Sequence, residues 1–158
     1  MNKIIIKIIL WALVVSLMAF IFVMSAEPAV ESSETSGRTL KVIFRIIYPG
    51  FGDLDGEQQQ EIIEANQHLI RKTAHFTLYT VMGILVSLAV AQHIKKFSLI
   101  SYAIGTLYAV TDEIHQLYVP GRSGQISDVL LDSSGVLFGC IIIFILYRYV
   151  NRKKRHSF

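Results

Sequence analysis

The sequence predicts an all-α integral membrane protein with four transmembrane helices, forming a single membrane domain over residues 1–158. The chain is 53% hydrophobic and only 17% charged, a composition that suits a small membrane bundle better than a soluble domain. A helix needs roughly 20 apolar residues to cross the hydrocarbon core of a bilayer. Four segments reach this length, at residues 4–24, 73–91, 97–117 and 129–149.

The first apolar segment follows Lys3 and Lys7, and it ends near Met24-Ser25-Ala26, which loosely resembles a signal-peptide cleavage site. The stretch is longer than the apolar region of a signal peptide, usually about 7–15 residues. We therefore expect an uncleaved transmembrane helix.

Basic residues are concentrated on one side of the predicted bundle. With a cytoplasmic N-terminus, four crossings return the C-terminus to the cytoplasm. The cytoplasmic segments, which include Lys95, Lys96 and the basic tail at 150–158, then hold nine of the 15 basic residues and none of the 12 acids. The positive-inside rule predicts this orientation. The tail is interpreted as a topology anchor, compatible with anionic lipid headgroups, and nucleic acid is not an expected partner.

The outer loop at residues 25–71 has three parts. Its first part, to residue 37, is rich in small and polar residues and is predicted to be irregular. Arg38, Lys41 and Arg45 then share one stripe of a predicted amphipathic helix, which lies either in the membrane interface or on the bundle. The opposite face of that helix carries Leu40, Ile43, Phe44 and Ile47.

A second helix is predicted to begin after the turn at residues 53–56. Asp55 and Gln58 have the spacing of a capping box. Neither Pro nor Gly interrupts residues 57–82, so this helix should continue into the second span.

Polar residues cluster at the outer ends of three spans. Lys72, His75 and Tyr79 share one helical face, and Asp128 and Asp132 are one turn apart on another. Ionisable groups at membrane depth usually face a protein interior or a wet cavity, so they indicate a functional site. The predicted ligand-binding residues are Lys72, His75, Tyr79, Asp112, Glu113, Gln116, Arg122, Asp128 and Asp132.

Gly135 and Gly139 continue the Asp128 and Asp132 stripe and form a small-residue face for close helix packing. This face can pack against another helix of the same bundle, or it can bind a second copy of the chain or a different subunit. The lone Cys140 cannot form an intramolecular disulfide, and a packing role is expected for it.

Three chemistries fit the polar cluster. Arg122 and Lys72 can bind a phosphate, and His75, Asp112 or Glu113 can carry protons in catalysis on a lipid-linked substrate. The third and least supported chemistry is binding of a divalent metal by Asp112, Glu113 and Asp128, with His75. No recognised spacing of metal ligands is present in the sequence. Neither a metal nor a cofactor is therefore assigned. Whether the protein is an enzyme stays open.

Four stretches of the chain, taken together, resemble the VanZ-like family of small bacterial membrane proteins. They are Phe22-Val-Met-Ser25-Ala-Glu-Pro28 with Ser32 and Ser36, Arg71-Lys72-Thr-Ala-His75-Phe76 with Tyr79, Tyr108 with Thr111-Asp112-Glu113-Ile-His115-Gln116 and Pro120-Gly121-Arg122, and Asp128-Val-Leu-Leu-Asp132 with Gly135 and Gly139. The resemblance implies a multi-pass protein of the bacterial cell envelope. The family's namesake is associated with resistance to teicoplanin, a glycopeptide that carries a lipid tail.

The leading hypothesis is a protein that binds or modulates an anionic lipid or lipid-linked cell-wall precursor at the outer leaflet, with low-level resistance to teicoplanin and other lipoglycopeptides as one consequence. One alternative is an intramembrane hydrolase or transferase acting on a lipid phosphate. Another is an accessory subunit of an envelope complex.

Overall fold

The computed structural model describes residues 3–91 and 97–155, and these residues form five α-helices and no strand. The all-α prediction is therefore confirmed. Lys95 and Lys96, placed by the sequence in a cytoplasmic loop, lie outside the described residues. The helices are α1 (Lys3–Ser25), α2 (Ala29–Ile47), α3 (Gly56–Ala91), α4 (Phe97–Gln116) and α5 (Ile126–Arg155), with one 3-10 turn at Phe51–Asp53.

Within the described residues, three helices are long and apolar enough to cross a membrane: α1, α3 and α5. The predicted third span corresponds to α4, which has 20 residues. It is not among the three, because Asp112, Glu113 and their polar neighbours occupy its last turns. A fourth crossing stays a prediction.

Helix α3 begins at the predicted capping box. The Gln58 backbone N–H donates to Asp55 Oδ1 at 2.8 Å, and the Asp55 N–H donates to Gln58 Oε1 at 3.3 Å. The helix then continues for 36 residues, about 54 Å at 1.5 Å per residue. Because a bilayer core is about 30 Å thick, the polar first half of α3 extends beyond the apolar segment, as predicted.

The prediction of an irregular segment at residues 25–37 was wrong. Helix α1 continues to Ser25, and α2 begins at Ala29 after a short bend that contains Pro28. Contacts made by the fold outweigh the weak helix propensity of the Ser-rich sequence. Ser32 is buried, and the Ala29 N–H donates to the Pro120 carbonyl at 3.2 Å.

Helix α2 packs on the first half of α3. This agrees with the alternative in which the amphipathic helix lies on the bundle. Leu40 is buried with Phe51 of the 3-10 turn and Ile63 of α3, and Phe44 packs against this cluster. The three basic residues of the stripe are exposed. Two of them, Arg38 and Lys41, line a groove between α2 and α3.

Helices α3 and α5 form the main helix pair of the bundle. A Cβ atom at Gly139 would meet the Thr80 carbonyl oxygen and the Ile84 nitrogen, and one at Gly135 would meet the Phe76 carbonyl oxygen. The glycine stripe is therefore packed against α3 within this chain. Association with another subunit stays a prediction, without a surface assigned to it.

Helices α1 and α4 complete the bundle. Val14 and Ile21 of α1 and Ala109 of α4 belong to the buried core. The Tyr108 hydroxyl of α4 donates to the Met18 carbonyl of α1 at 2.5 Å. Helices α3, α4 and α5 contact one another, so their polar residues meet where α4 ends and α5 begins. This part of the bundle is called the polar end below.

Candidate functional site

Helices α3 and α5 are connected at the polar end by two pairs of ionisable side chains. Lys72 Nζ lies 2.9 Å from Asp128 Oδ1, and His75 Nδ1 lies 3.4 Å from Asp132 Oδ2. On α3, Lys72 and His75 are about one helical turn apart, and so are Asp128 and Asp132 on α5. The two contacts therefore follow from the spacing in the sequence. The structure therefore brings together four of the predicted site residues.

Asp112 of α4 is the centre of a buried hydrogen-bond network. Its Oδ2 accepts from the Ser25 hydroxyl at 2.9 Å, from the Tyr79 hydroxyl at 3.2 Å and from Gln116 Nε2 at 3.4 Å. Asp112 is only 2% exposed. Its second oxygen, Oδ1, has no hydrogen-bond partner in the part of the chain that the structure describes. This carboxylate connects α1, α3 and α4 through one atom and leaves the other available.

Arg122 joins the α4–α5 loop to the junction between α1 and α2. Its Nε donates to the Glu27 carbonyl at 2.9 Å, while the two terminal nitrogens donate to Ser32 Oγ at 3.0 Å and to Gln116 Oε1 at 3.3 Å. The pKa of the Arg122 guanidinium is lowered, chiefly by burial and then by Arg71. An arginine nevertheless stays charged in proteins. Within the described residues, no carboxylate forms a salt bridge with this cation.

A cavity of about 260 Å³ opens beside Arg122. It is smaller than a typical pocket for a drug-sized ligand, which is about 300–1,000 Å³, but it has room for a small charged group. The cationic side chains Arg71, Lys72 and Arg122 line it together with Asp128 and Asp132. The other lining residues are Ala29, Ser33, His68, His75, Gln116, Gly121, Ser123, Gln125 and Leu131.

Three acid or imidazole side chains lie close enough together to hold a metal ion: His75, Asp112 and Asp132. One ligand atom of each lies within 4.8 Å of the others. The metal set considered from the sequence was Asp112, Glu113 and Asp128, with His75. The structure brings His75 and Asp112 together with Asp132, whereas Glu113 and Asp128 have other partners.

Glu113 lies apart from the rest of the predicted site. Its Oε1 accepts from the backbone N–H of Gln125 at 2.5 Å, immediately before α5 begins. A carboxylate at a helix N-terminus satisfies a free N–H group and interacts favourably with the helix dipole. Glu113 does not line the cavity, so the geometry gives it a capping role at α5.

Three residues that contribute to the site were given little weight in the sequence analysis. Ser25 and Ser32 were assigned to an irregular loop, yet Ser25 donates to Asp112 and Ser32 accepts from Arg122. Arg71 lines the cavity. All three belong to the stretches that carried the family resemblance, which was the signal that could have identified them.

The order of these site residues along the chain agrees with a known family. The model of the VanZ/LLP1 family matches residues 10–147. This chain belongs to the VanZ/LLP1 family. The match includes every helix that contributes a side chain to the polar end, so the site is part of the family domain. No curated protein and no solved structure matches the chain significantly.

Proposed function

We propose that this VanZ/LLP1 protein binds the anionic headgroup of a membrane lipid or a lipid-linked cell-wall precursor at the outer leaflet. The cavity beside Arg122 carries this proposal. It contains three cationic side chains, and one of them, Arg122, is held by neutral acceptors. A planar guanidinium can bind a phosphate group through two parallel hydrogen bonds.

The proposal requires that the cavity faces the outside. We infer four crossings, with α4 as the third, and both termini in the cytoplasm. The basic residues at 148 and 152–155 end α5, while the acids of α5 lie at its start. This distribution follows the positive-inside rule. An impermeant maleimide should label a cysteine at position 45, but not one at position 152, in intact cells of a Cys140→Ala background.

Occupancy of this site by a lipid headgroup would alter how lipoglycopeptides reach the membrane surface. We therefore expect expression in a sensitive bacterium to reduce susceptibility to teicoplanin, which carries a lipid tail, without changing susceptibility to vancomycin. Protection should be lost in Arg122→Ala and Asp112→Ala at matched membrane abundance. Arg45→Ala removes an exposed charge far from the cavity and should preserve it.

Two outcomes would contradict this role. Equal protection against both antibiotics would separate the effect from the lipid tail. Protection that persists in Arg122→Ala would show that the cavity is not the site of action. Absence of protection by the wild type would remove resistance from the proposal. Lipid binding would then be tested by titrating the purified chain with phosphatidylglycerol and phosphatidylcholine.

The second candidate function is an intramembrane hydrolase or transferase on a lipid phosphate. The contact that favours it is the hydrogen bond from Ser25 to Asp112, next to His75 and the cavity. These groups can supply a hydroxyl nucleophile and proton carriers. An enzyme would lose turnover in Asp112→Asn or His75→Gln while still binding lipid. Absence of any product from labelled envelope lipids would exclude it.

A further inference from the structure

Three side chains from three different helices converge at the polar end: His75 from α3, Asp112 from α4 and Asp132 from α5. One ligand atom of each lies within 4.8 Å of the others. His75 and Asp132 also line the cavity. We propose that His75, Asp112 and Asp132 bind one divalent transition-metal cation of the Mn²⁺ or Zn²⁺ type. This inference is independent of lipid binding, because it concerns these three side chains and not the cationic residues of the cavity.

The burial of the two carboxylates is the second observation that indicates a cation. Asp112 and Asp132 are 2% and 1% exposed. Among the described residues, the Oδ1 atom of each is buried and has no hydrogen-bond partner. Leaving a buried acceptor unsatisfied is costly. A cation bound by the two carboxylates would offset this cost.

The charges around the triad also favour a cation. Lys72 contacts Asp128, at 2.9 Å. The described hydrogen bonds of Arg122 go to carbonyl, hydroxyl and amide oxygens. Among the described residues, neither buried carboxylate has a Lys or Arg side chain within salt-bridge distance, and the His75 imidazole approaches Asp132 at 3.4 Å. Arg122 reaches Asp112 only through the side chain of Gln116.

The donor set indicates the class of metal. Carboxylates alone suit Mg²⁺ or Ca²⁺, whereas imidazole favours transition metals, so two carboxylates with one imidazole point to Mn²⁺ or Zn²⁺. Ser25, Tyr79 and Gln116 donate to the other oxygen of Asp112 and so orient it, as second-layer residues do around metals. Three protein ligands leave a coordination position for water or a phosphate oxygen on the cavity side.

The experiment uses the full chain in mild detergent, stripped with a chelator and titrated with MnCl₂ or ZnCl₂. Bound metal is measured by elemental analysis, and affinity by calorimetry. We expect one ion per chain in the wild type and at least about tenfold weaker binding in Asp132→Asn. Asp128→Asn makes the same charge change in the same cavity and should retain wild-type metal affinity.

His75→Gln provides a second variant should Asp132→Asn fail to fold. It keeps a hydrogen-bonding side chain but removes the imidazole ligand, and circular dichroism can verify its fold. We expect metal affinity at least about tenfold weaker in this variant. The proposal is overturned if the wild type binds neither metal, if Asp128→Asn loses as much affinity as the triad variants, or if folded His75→Gln binds like the wild type.

Discussion

The same two helices, α3 and α5, build two regions of opposite character. Along the middle of the pair, Gly135 and Gly139 lie against the backbone of α3, and no side chain separates the helices there. At the polar end, Lys72 and His75 contact Asp128 and Asp132, and a cavity of about 260 Å³ opens beside them. The first region fixes the distance between the helices. The second uses that fixed distance to hold ionisable side chains together.

The close packing of α3 and α5 at the glycines explains why the polar end can tolerate its ionisable side chains. Interhelical hydrogen bonds in membranes are worth only about 0.6–2 kcal/mol each, so polar contacts alone hold helices weakly. Close packing at the glycines supplies a rigid scaffold. Stability and function should therefore respond differently to substitutions in the two regions.

The largest effect on stability is expected in the glycine region. Gly139→Ala places a Cβ against the Thr80 carbonyl and the Ile84 nitrogen, so the backbones must separate. We expect a loss of about 1–3 kcal/mol or more in the free energy of unfolding. Thermal unfolding in detergent measures it. Gly56→Ala is the matched control, because a Cβ atom at this position has no other atom within 4 Å. We expect it to be neutral or slightly stabilising. Equal effects of the two variants would contradict the packing account.

A smaller loss of stability is expected for Tyr79→Phe. The substitution removes the hydroxyl that donates to Asp112 at 3.2 Å while keeping the buried ring. Loss of one such bond should cost about 0.5–1.5 kcal/mol. Tyr118→Phe removes an exposed hydroxyl and should be neutral in the same unfolding assay. A neutral Tyr79→Phe would show that the Asp112 network does not stabilise the polar end.

The smallest loss is expected for Lys72→Gln. The side chains of Lys72 and Asp128 are 31% and 30% exposed, so solvent screens their ion pair. Such pairs contribute about 0–1 kcal/mol. Unfolding should therefore change little, whereas affinity for an anionic lipid should fall. A large loss of stability would assign Lys72 to the scaffold.

The apolar helices and the capping box of α3 were predictable because hydrophobic length and local spacing determine them. The location of the polar cluster was predictable for the same reason. The first half of α2 was not, because its polar sequence is helical only through contacts made by the fold. The role of Ser25 was not, because its partner Asp112 lies 87 positions away in the chain. Nor could the sequence separate Asp112 from Glu113: the two are adjacent, but one points into the cluster and the other caps α5. Such assignments depend on helix rotation, which only packing determines.

Lipid titration checks whether Arg122 makes the cavity a binding site for anionic headgroups. The purified chain in mild detergent with chelator present is titrated with short-chain phosphatidylglycerol or with phosphatidylcholine of the same chain length. We expect a preference for phosphatidylglycerol, with affinity weakened about tenfold or more in Arg122→Gln, partly kept in Arg122→Lys, and unchanged in Arg45→Gln. Equal affinity for both lipids, or wild-type binding by Arg122→Gln, would contradict the proposal.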